Sequence, residues 1–144
     1  MIRYSDSETL EFQEYVDFLK RTDLGSQYPK KNFAERIPVL LQNAAICVTA
    51  RNDEGLLIGI CFGITDWVYF LFLTDLGVDR DYLGQGIGRR LVELAHEKAG
   101  GEDDITITTI SNGRAIPFYA AIGMKPDDSL VVKYCRDWED FVVE

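Results

Sequence analysis

Apolar and polar positions along the chain alternate between two rhythms, and each change of rhythm marks an element. Phe12, Tyr15, Val16 and Leu19 fall at i, i+3, i+4 and i+7, the spacing of one helix face. Ser5 and Glu8 ahead of them have capping-box spacing, and Arg3 with Tyr4 suits a short first strand. Residues 22–32, with Gly25, Pro29 and two lysines, read as a loop. Phe33, Ile37, Leu40 and Leu41 repeat the helical spacing, and Pro38 inside that run is expected to start, kink or interrupt the helix. The pattern then becomes β-rich. Residues 45–51 form a strand, Asn52-Asp53-Glu54-Gly55 carries turn chemistry, and 56–65 is the hairpin partner. Past Asp66, a long apolar run over 69–78 predicts a third strand of this kind. Ile87, Leu91, Leu94 and Ala95 make the stripe of a helix that closes near Gly100-Gly101. Residues 105–110 are β-branched throughout, a short helix follows them, and 130–136 predicts a last strand, with 138–144 unassigned. The order β-α-α-β-β-β-α-β-α-β gives a mixed α+β sheet.

The segment between the 69–78 strand and the next helix carries the first chemical signal. Gly84, Gly86 and Gly88 stand at alternate positions, and the helix starts directly behind them. A strand, a glycine turn and a helix N-terminus in that order make an anion cradle, because the first helical turn leaves N–H groups unpaired and the helix dipole favours negative charge. Two phosphate loops are excluded by counting. A dinucleotide turn needs G-x-G-x-x-G, and Arg89 stands where the third glycine belongs. A P-loop needs Gly-Lys, a pair this chain lacks. A nucleotide-binding α/β protein therefore fails on its own motif.

What remains, G-x-G-x-G followed by Arg89 and Arg90, resembles the acyl-coenzyme A pyrophosphate loop of the GNAT N-acetyltransferase superfamily, Gln/Arg-x-x-Gly-x-Gly/Ala. Leu83 occupies the family's first Gln/Arg position, which removes one side-chain contact and leaves the backbone amides. A second motif, Asn112-x-x-Ala115-x-x-Phe118-Tyr119 and then Ile122-Gly123-Met124, resembles the family's Asn-x-x-Ala-x-x-Leu/Phe-Tyr-x-x-x-Gly-Phe signature, with Met124 in place of the usual aromatic. Pro117 suits the first turn of a short helix, and Gly123 its left-handed cap. The resemblance implies one N-acetyltransferase domain over 1–144. It also implies a three-layer α/β/α arrangement, with a mostly antiparallel central sheet and helices on both faces.

It further implies which residues hold the acetyl-CoA co-substrate. The main chain of Leu76, Gly77 and Val78 would take the pantetheine arm, with Gly77 allowing the close approach or bulge that splays the strand from its neighbour. Leu83, Gly84, Gln85, Gly86, Ile87, Gly88 and Arg89 would hold the pyrophosphate, and Asn112 would bond the pantetheine amide. Arg89, Arg90 and Arg114 either touch phosphate or are simply solvated. Tyr119 stands at the family's proton-donor position beside the thioester sulfur. On the acceptor side the aromatics Tyr15, Tyr28, Phe33, Trp67, Tyr134 and Trp138 are available, most of them suited to a core.

The base is read from the residues. Freeing a primary amine of its proton at pH 7 costs about 4.6 kcal/mol. Asp75 interrupts the apolar run Phe70-Leu71-Phe72-Leu73-Thr74, so its carboxylate must face solvent, a partner or a substrate. It either serves as general base or pairs with a cation for structure, the proton then leaving through water. Asp66 is the alternative, although a hairpin turn explains it.

Composition narrows the class. The net charge of -9 argues against a nucleic-acid partner and suits a cationic amine. Cys47, Cys61 and Cys135 are widely spaced in apolar contexts, which suits buried reduced thiols. With His96 the sole histidine, no metal is expected. The first residues lack an apolar signal core and no apolar run reaches membrane-spanning length without a charge, so a cytoplasmic protein is expected. The sequence reading is direct acetyl transfer from acetyl-CoA to the primary amine of a small molecule in a ternary complex. Its alternative is a non-catalytic acyl-CoA-binding or sensing module. Neither the amine nor the oligomeric state is specified, though homodimers are frequent in families of this kind.

Overall fold

In the computed structural model, which describes residues 1–144, Tyr15, Phe18 and Leu19 lie fully buried on one face of α1 (Phe12–Lys20). α2 (Phe33–Asn43) adds Ile37 and Leu41 to the same cluster. These helices cover one face of a five-stranded sheet ordered β1-β2-β3-β4-β5. The strands are β1 (Arg3–Ser5), β2 (Ile46–Arg51), β3 (Leu57–Thr65), β4 (Phe70–Val78) and β5 (Thr106–Thr109). Ile60 and Phe62 of β3 point into this layer. On the opposite face α3 (Ile87–Ala99) lays Ile87, Leu91 and Ala95 over Ile46, Val48, Ile58, Leu71 and Leu73. At about 1.5–3 kcal/mol for each large apolar side chain buried, these two layers dominate the favourable side of folding. The sheet is antiparallel from β1 to β4, and β5 joins β4 in parallel. A parallel neighbour needs a crossover, and α3 supplies it. The mixed, mostly antiparallel sheet with helices on both faces is the expected fold. No helix is long and apolar enough to cross a membrane.

Three local expectations are corrected. Ser5 and Glu8 do not cap α1. Ser5 sits in β1 opposite Thr49, and α1 begins past Glu11 with no side-chain cap. Glu8 instead bonds Arg51 at 2.6 Å, and Arg51 also holds Glu14 at 2.8 Å. One guanidinium between two carboxylates outcompetes a single cap bond. Of the outcomes expected at Pro38, starting and interrupting the helix are excluded, because α2 runs through it. The lost bond costs about 3 kcal/mol, and burial of Ile37 and Leu41 on either side of it offsets that.

The third correction concerns residues 130–136, which form no strand. Val131 and Tyr134 are exposed, and the chain end is fastened elsewhere. Phe141 stacks edge-on against Phe33 at 5.1 Å, Val143 is buried in the α1/α2 layer, and the Lys30 amide donates to the Glu139 carbonyl at 2.9 Å. The anchors pull the tail toward α2 and away from the sheet edge.

One irregularity positions the site. Phe62 of β3 faces Asp75 of β4, while the next residue, Gly63, faces Leu73, so Thr74 is an extra residue in β4. Such a bulge reverses the alternation of faces. Leu71 and Leu73 before it and Leu76 and Val78 after it all lie on the α3 side. Asp75 is thereby turned toward α1.

Candidate active site

Parallel pairing of β4 with β5 ends at Leu73 opposite Thr109, yet β4 runs on to Val78 held only by β3. The two strands separate there, and a cavity of about 640 Å³ opens between residues 74–78 and 109–112. The Asp79 amide donates to the Ile58 carbonyl at 2.8 Å, which fixes the alternation of the β3–β4 ladder. Gly77 and Asp79 direct their N–H and C=O toward β3. Leu76 and Val78 direct theirs across the gap, as unpaired strand edge. Of the two alternatives expected at Gly77, the bulge lies at Thr74 instead, and the close approach is that of Leu24. A Cβ on Gly77 would overlap the Leu24 side chain that packs on β4.

The far end of the cavity is the glycine turn. Gly84 and Gly86 have φ of +76° and +79°, and no atom lies within 4 Å of where a Cβ on either would stand. Gly86 is the N-cap of α3 and no side chain caps it. None of the backbone amides from Leu83 to Arg89 donates to a protein acceptor, and the first helical bond is Arg90 N–H to the Gly86 carbonyl at 3.1 Å. Leu83, Gly84, Gly86, Ile87, Gly88 and Arg89 line the cavity, whereas Gln85 turns away toward Met1 and Asn52. Gly88 lets α4 (Ile116–Ala121) approach, with the Phe118 ring 3.3 Å from its missing Cβ. Arg114 also lines the cavity. Arg90 is instead occupied with Glu93 and Glu97, at 3.3 and 3.7 Å.

α4 and the turn before it close the other wall. The side-chain oxygen of Asn112 accepts the Ala115 amide at 3.0 Å, so its NH₂ group is the part free to bond a ligand carbonyl. Tyr119 lines the same space, packed edge-on against Phe118 at 5.1 Å. Burial pushes its phenol above the usual range, with the Thr109 hydroxyl acting in the other direction. A phenol held protonated at neutral pH is a proton donor in waiting.

Asp75 is 5% exposed and reaches the cavity wall. The Tyr28 hydroxyl donates to its Oδ1 at 2.6 Å, and Tyr28 is joined to the Tyr15 hydroxyl at 2.7 Å. Burial pushes the Asp75 carboxyl up, while hydrogen bonds from Tyr28 and Thr74 oppose it. No cation pairs with its carboxylate, so a structural ion pair does not explain Asp75. Asp66 is different. Its Oδ1 accepts the amides of Val68, Tyr69 and Phe70 at 2.7–2.9 Å, which holds its carboxyl low and makes it the clasp of the β3–β4 hairpin.

Several contributors had no signal in the sequence. Leu24, Ser26 and Gln27 reach the cavity from a short turn (Asp23–Ser26) begun by Thr22, whose hydroxyl accepts the Leu24 amide. Asp79 is buried, accepts the Asp81 amide and pairs with Arg21, which also donates to the Leu57 carbonyl at 3.0 Å. This knot fixes the chain between β4 and the glycine turn. Of the remaining aromatics, Phe33 packs near Tyr28, while Trp67, Tyr134 and Trp138 are exposed away from the cavity.

The sequence matches the acetyltransferase (GNAT) family over residues 10–124. A histone acetyltransferase, TAP1, from Glycine max is 29% identical over 76 residues, 53% of this chain and 33% of that protein. The matched stretch thus spans about a third of that relative's length. In structure, a GNAT family acetyltransferase from Streptococcus pneumoniae TIGR4 superposes with a TM-score of 0.73 at 18% identity, covering 94% of this chain and 99% of that one. Glucosamine-6-phosphate N-acetyltransferase from Arabidopsis thaliana gives 0.63 at 13%, covering 93% and 98%. These relatives' names span protein and sugar acceptors on one architecture, so the fold leaves the acceptor open. The chain belongs to the GNAT acetyltransferase family.

Proposed function

We propose that this protein transfers an acetyl group from acetyl-CoA to the primary amine of a small molecule, directly and within a ternary complex. The observation that carries the reading is the continuity of the free amides of residues 83–89 with the unpaired edge of β4 in one cavity. The first would grip a diphosphate through short backbone N–H bonds at a helix N-terminus. The second would hold an amide-bearing arm as an added strand, through Leu76 and Val78. Acetyl-CoA would supply the acyl group as an activated thioester. Asn112 would donate its NH₂ to the arm and Asp75 would take the ammonium proton. As the C–N bond forms and the C–S bond breaks, Tyr119 would give its phenolic proton to the sulfur, and the surplus N–H proton of the new amide would restore the phenol. The same proposal sets the reaction in the cytoplasm and allows a homodimer.

Thermal unfolding with acetyl-CoA, CoA, NAD and ATP tests the cofactor. At about 100 times its Kd a ligand adds roughly 2.7 kcal/mol. Acetyl-CoA and CoA should raise the melting temperature and NAD and ATP should not. Protection by NAD or ATP alone would overturn the reading. Free thiol release across a panel of small amines tests turnover, and binding without release would point to a sensing module. Tyr119→Phe should lower kcat about 10- to 100-fold and leave the acetyl-CoA KM within a factor of about two, since it removes a proton donor and no binding contact. An unchanged kcat would mean that the thiolate leaves without help from this phenol.

A further inference from the structure

Asp75 is joined to the α1 side of the molecule by a line of oxygens that neither sequence motif accounts for. Tyr28 O–H donates to Asp75 Oδ1 at 2.6 Å. An ionised carboxylate has no proton to give, so the Tyr28 hydroxyl spends its one proton on Asp75. Its oxygen must then accept from Tyr15, 2.7 Å behind it. Tyr15 is fully buried, and its ring packs on Phe62 at 5.3 Å, while Tyr28 packs on Phe33 at 6.1 Å. Both rings are held by core contacts, so their hydroxyls have little freedom to turn away.

We propose that Tyr28 is a positioning residue for the transfer: backed by Tyr15, it fixes Oδ1 of Asp75 and leaves Oδ2 as the oxygen that meets the amine's proton. The inference rests on Asp75 being the base. It explains why the bulge at Thr74 is useful, since only the reversed alternation brings the carboxylate to these phenols. Burial holds both phenols well above their ordinary value, so they stay protonated donors and do not carry the substrate proton onward. The other groups bearing on Asp75 are few. Thr74 on its own strand adds a hydrogen bond, Cys61 on β3 is a neutral thiol pushed up by burial, and no cation contributes. Among these, Tyr28 is the group that places the carboxylate and favours its charged form.

Tyr28→Phe removes one oxygen and keeps the ring. A hydrogen bond to the charged form lowers a carboxyl pKa, so its loss raises it. The Asp75 carboxyl signal, followed by carbon-13 NMR, should titrate about one pH unit higher than in the parent. The acid limb of kcat/KM should move up with it, by about the same amount. Tyr15→Phe should give a smaller move in the same direction, and it serves as the test if Tyr28→Phe does not fold. An unmoved titration midpoint in a folded variant overturns the proposal. Undiminished activity in Asp75→Asn would instead remove the base reading, and that result is independent of where the carboxyl titrates.

Discussion

Asp75→Asn is expected to lower kcat/KM for amine acetylation about 10²- to 10³-fold at pH 7 and, in the same protein, to raise the unfolding temperature. The activity half follows from the size of general-base contributions. The stability half follows from burial. Desolvation raises the folded-state pKa of Asp75 above its ordinary value. A group shifted upward gives stability that is fully present below its unfolded pKa and is lost as pH rises through the folded pKa. At neutral pH the ionised carboxylate is therefore a net cost to the fold. Asparagine removes the charge, and its Oδ1 can still accept from Tyr28. A buried charge that weakens the structure and lines the wall of a cavity is what a stability–activity trade-off predicts. The check is a pair of measurements, kcat/KM against pH and a melting curve at pH 7. Activity within a few-fold of the parent, or a lower melting temperature, would count against Asp75 as the base.

Much of this site could be read in the chain because its parts are local. The glycine turn is specified by residues 84–88 and the helix stripe directly behind them, so backbone and motif coincide. The same is true of the 112–124 segment, where Pro117 falls in the first turn of α4 and Gly123 takes φ of +91° past its end. The apolar run of β4 predicted a strand but not its bulge, because Thr74 looks like any other β-former and the reversal of faces depends on the partner strand. The phenols behind Asp75 come from 47 residues away for Tyr28, and nothing near either residue announces the bond. Residues 130–136 have strand composition, yet strand formation needs a partner edge. The anchors at Phe141 and Val143 decide where the tail runs. The Ser5–Glu8 cap failed for a similar reason, since Arg51 lies far off in sequence and offers Glu8 a stronger bond. What the sequence withheld was long-range and pairwise.

The pyrophosphate cradle gives the other large effect. Gly86→Val should raise the KM for acetyl-CoA about 100-fold or more while kcat at saturation stays within a few-fold. Gly86 has φ of +79°, a region that β-branched residues avoid. No protein atom lies within 4 Å of where its Cβ would stand, so within the protein the strain of the substitution falls first on the backbone. Holding valine there would cost at least about 1–2 kcal/mol, and the chain relieves this by rotating the peptides on either side. Those peptides carry amides that line up with the first turn of α3. Each charge-assisted bond lost from a phosphate is worth about 1.5–3 kcal/mol, so losing two exceeds a factor of 100 in affinity. Ile87, only 2% exposed, keeps α3 seated, and the fold should lose no more than the local strain. Gly86→Asn separates backbone from bulk, because asparagine enters the left-handed region far more readily. It should raise KM only a few-fold. Equal effects of the two substitutions, or a KM unchanged by valine, would show that these amides do not grip the cofactor. The catalytic reading would then have to find another place for the diphosphate.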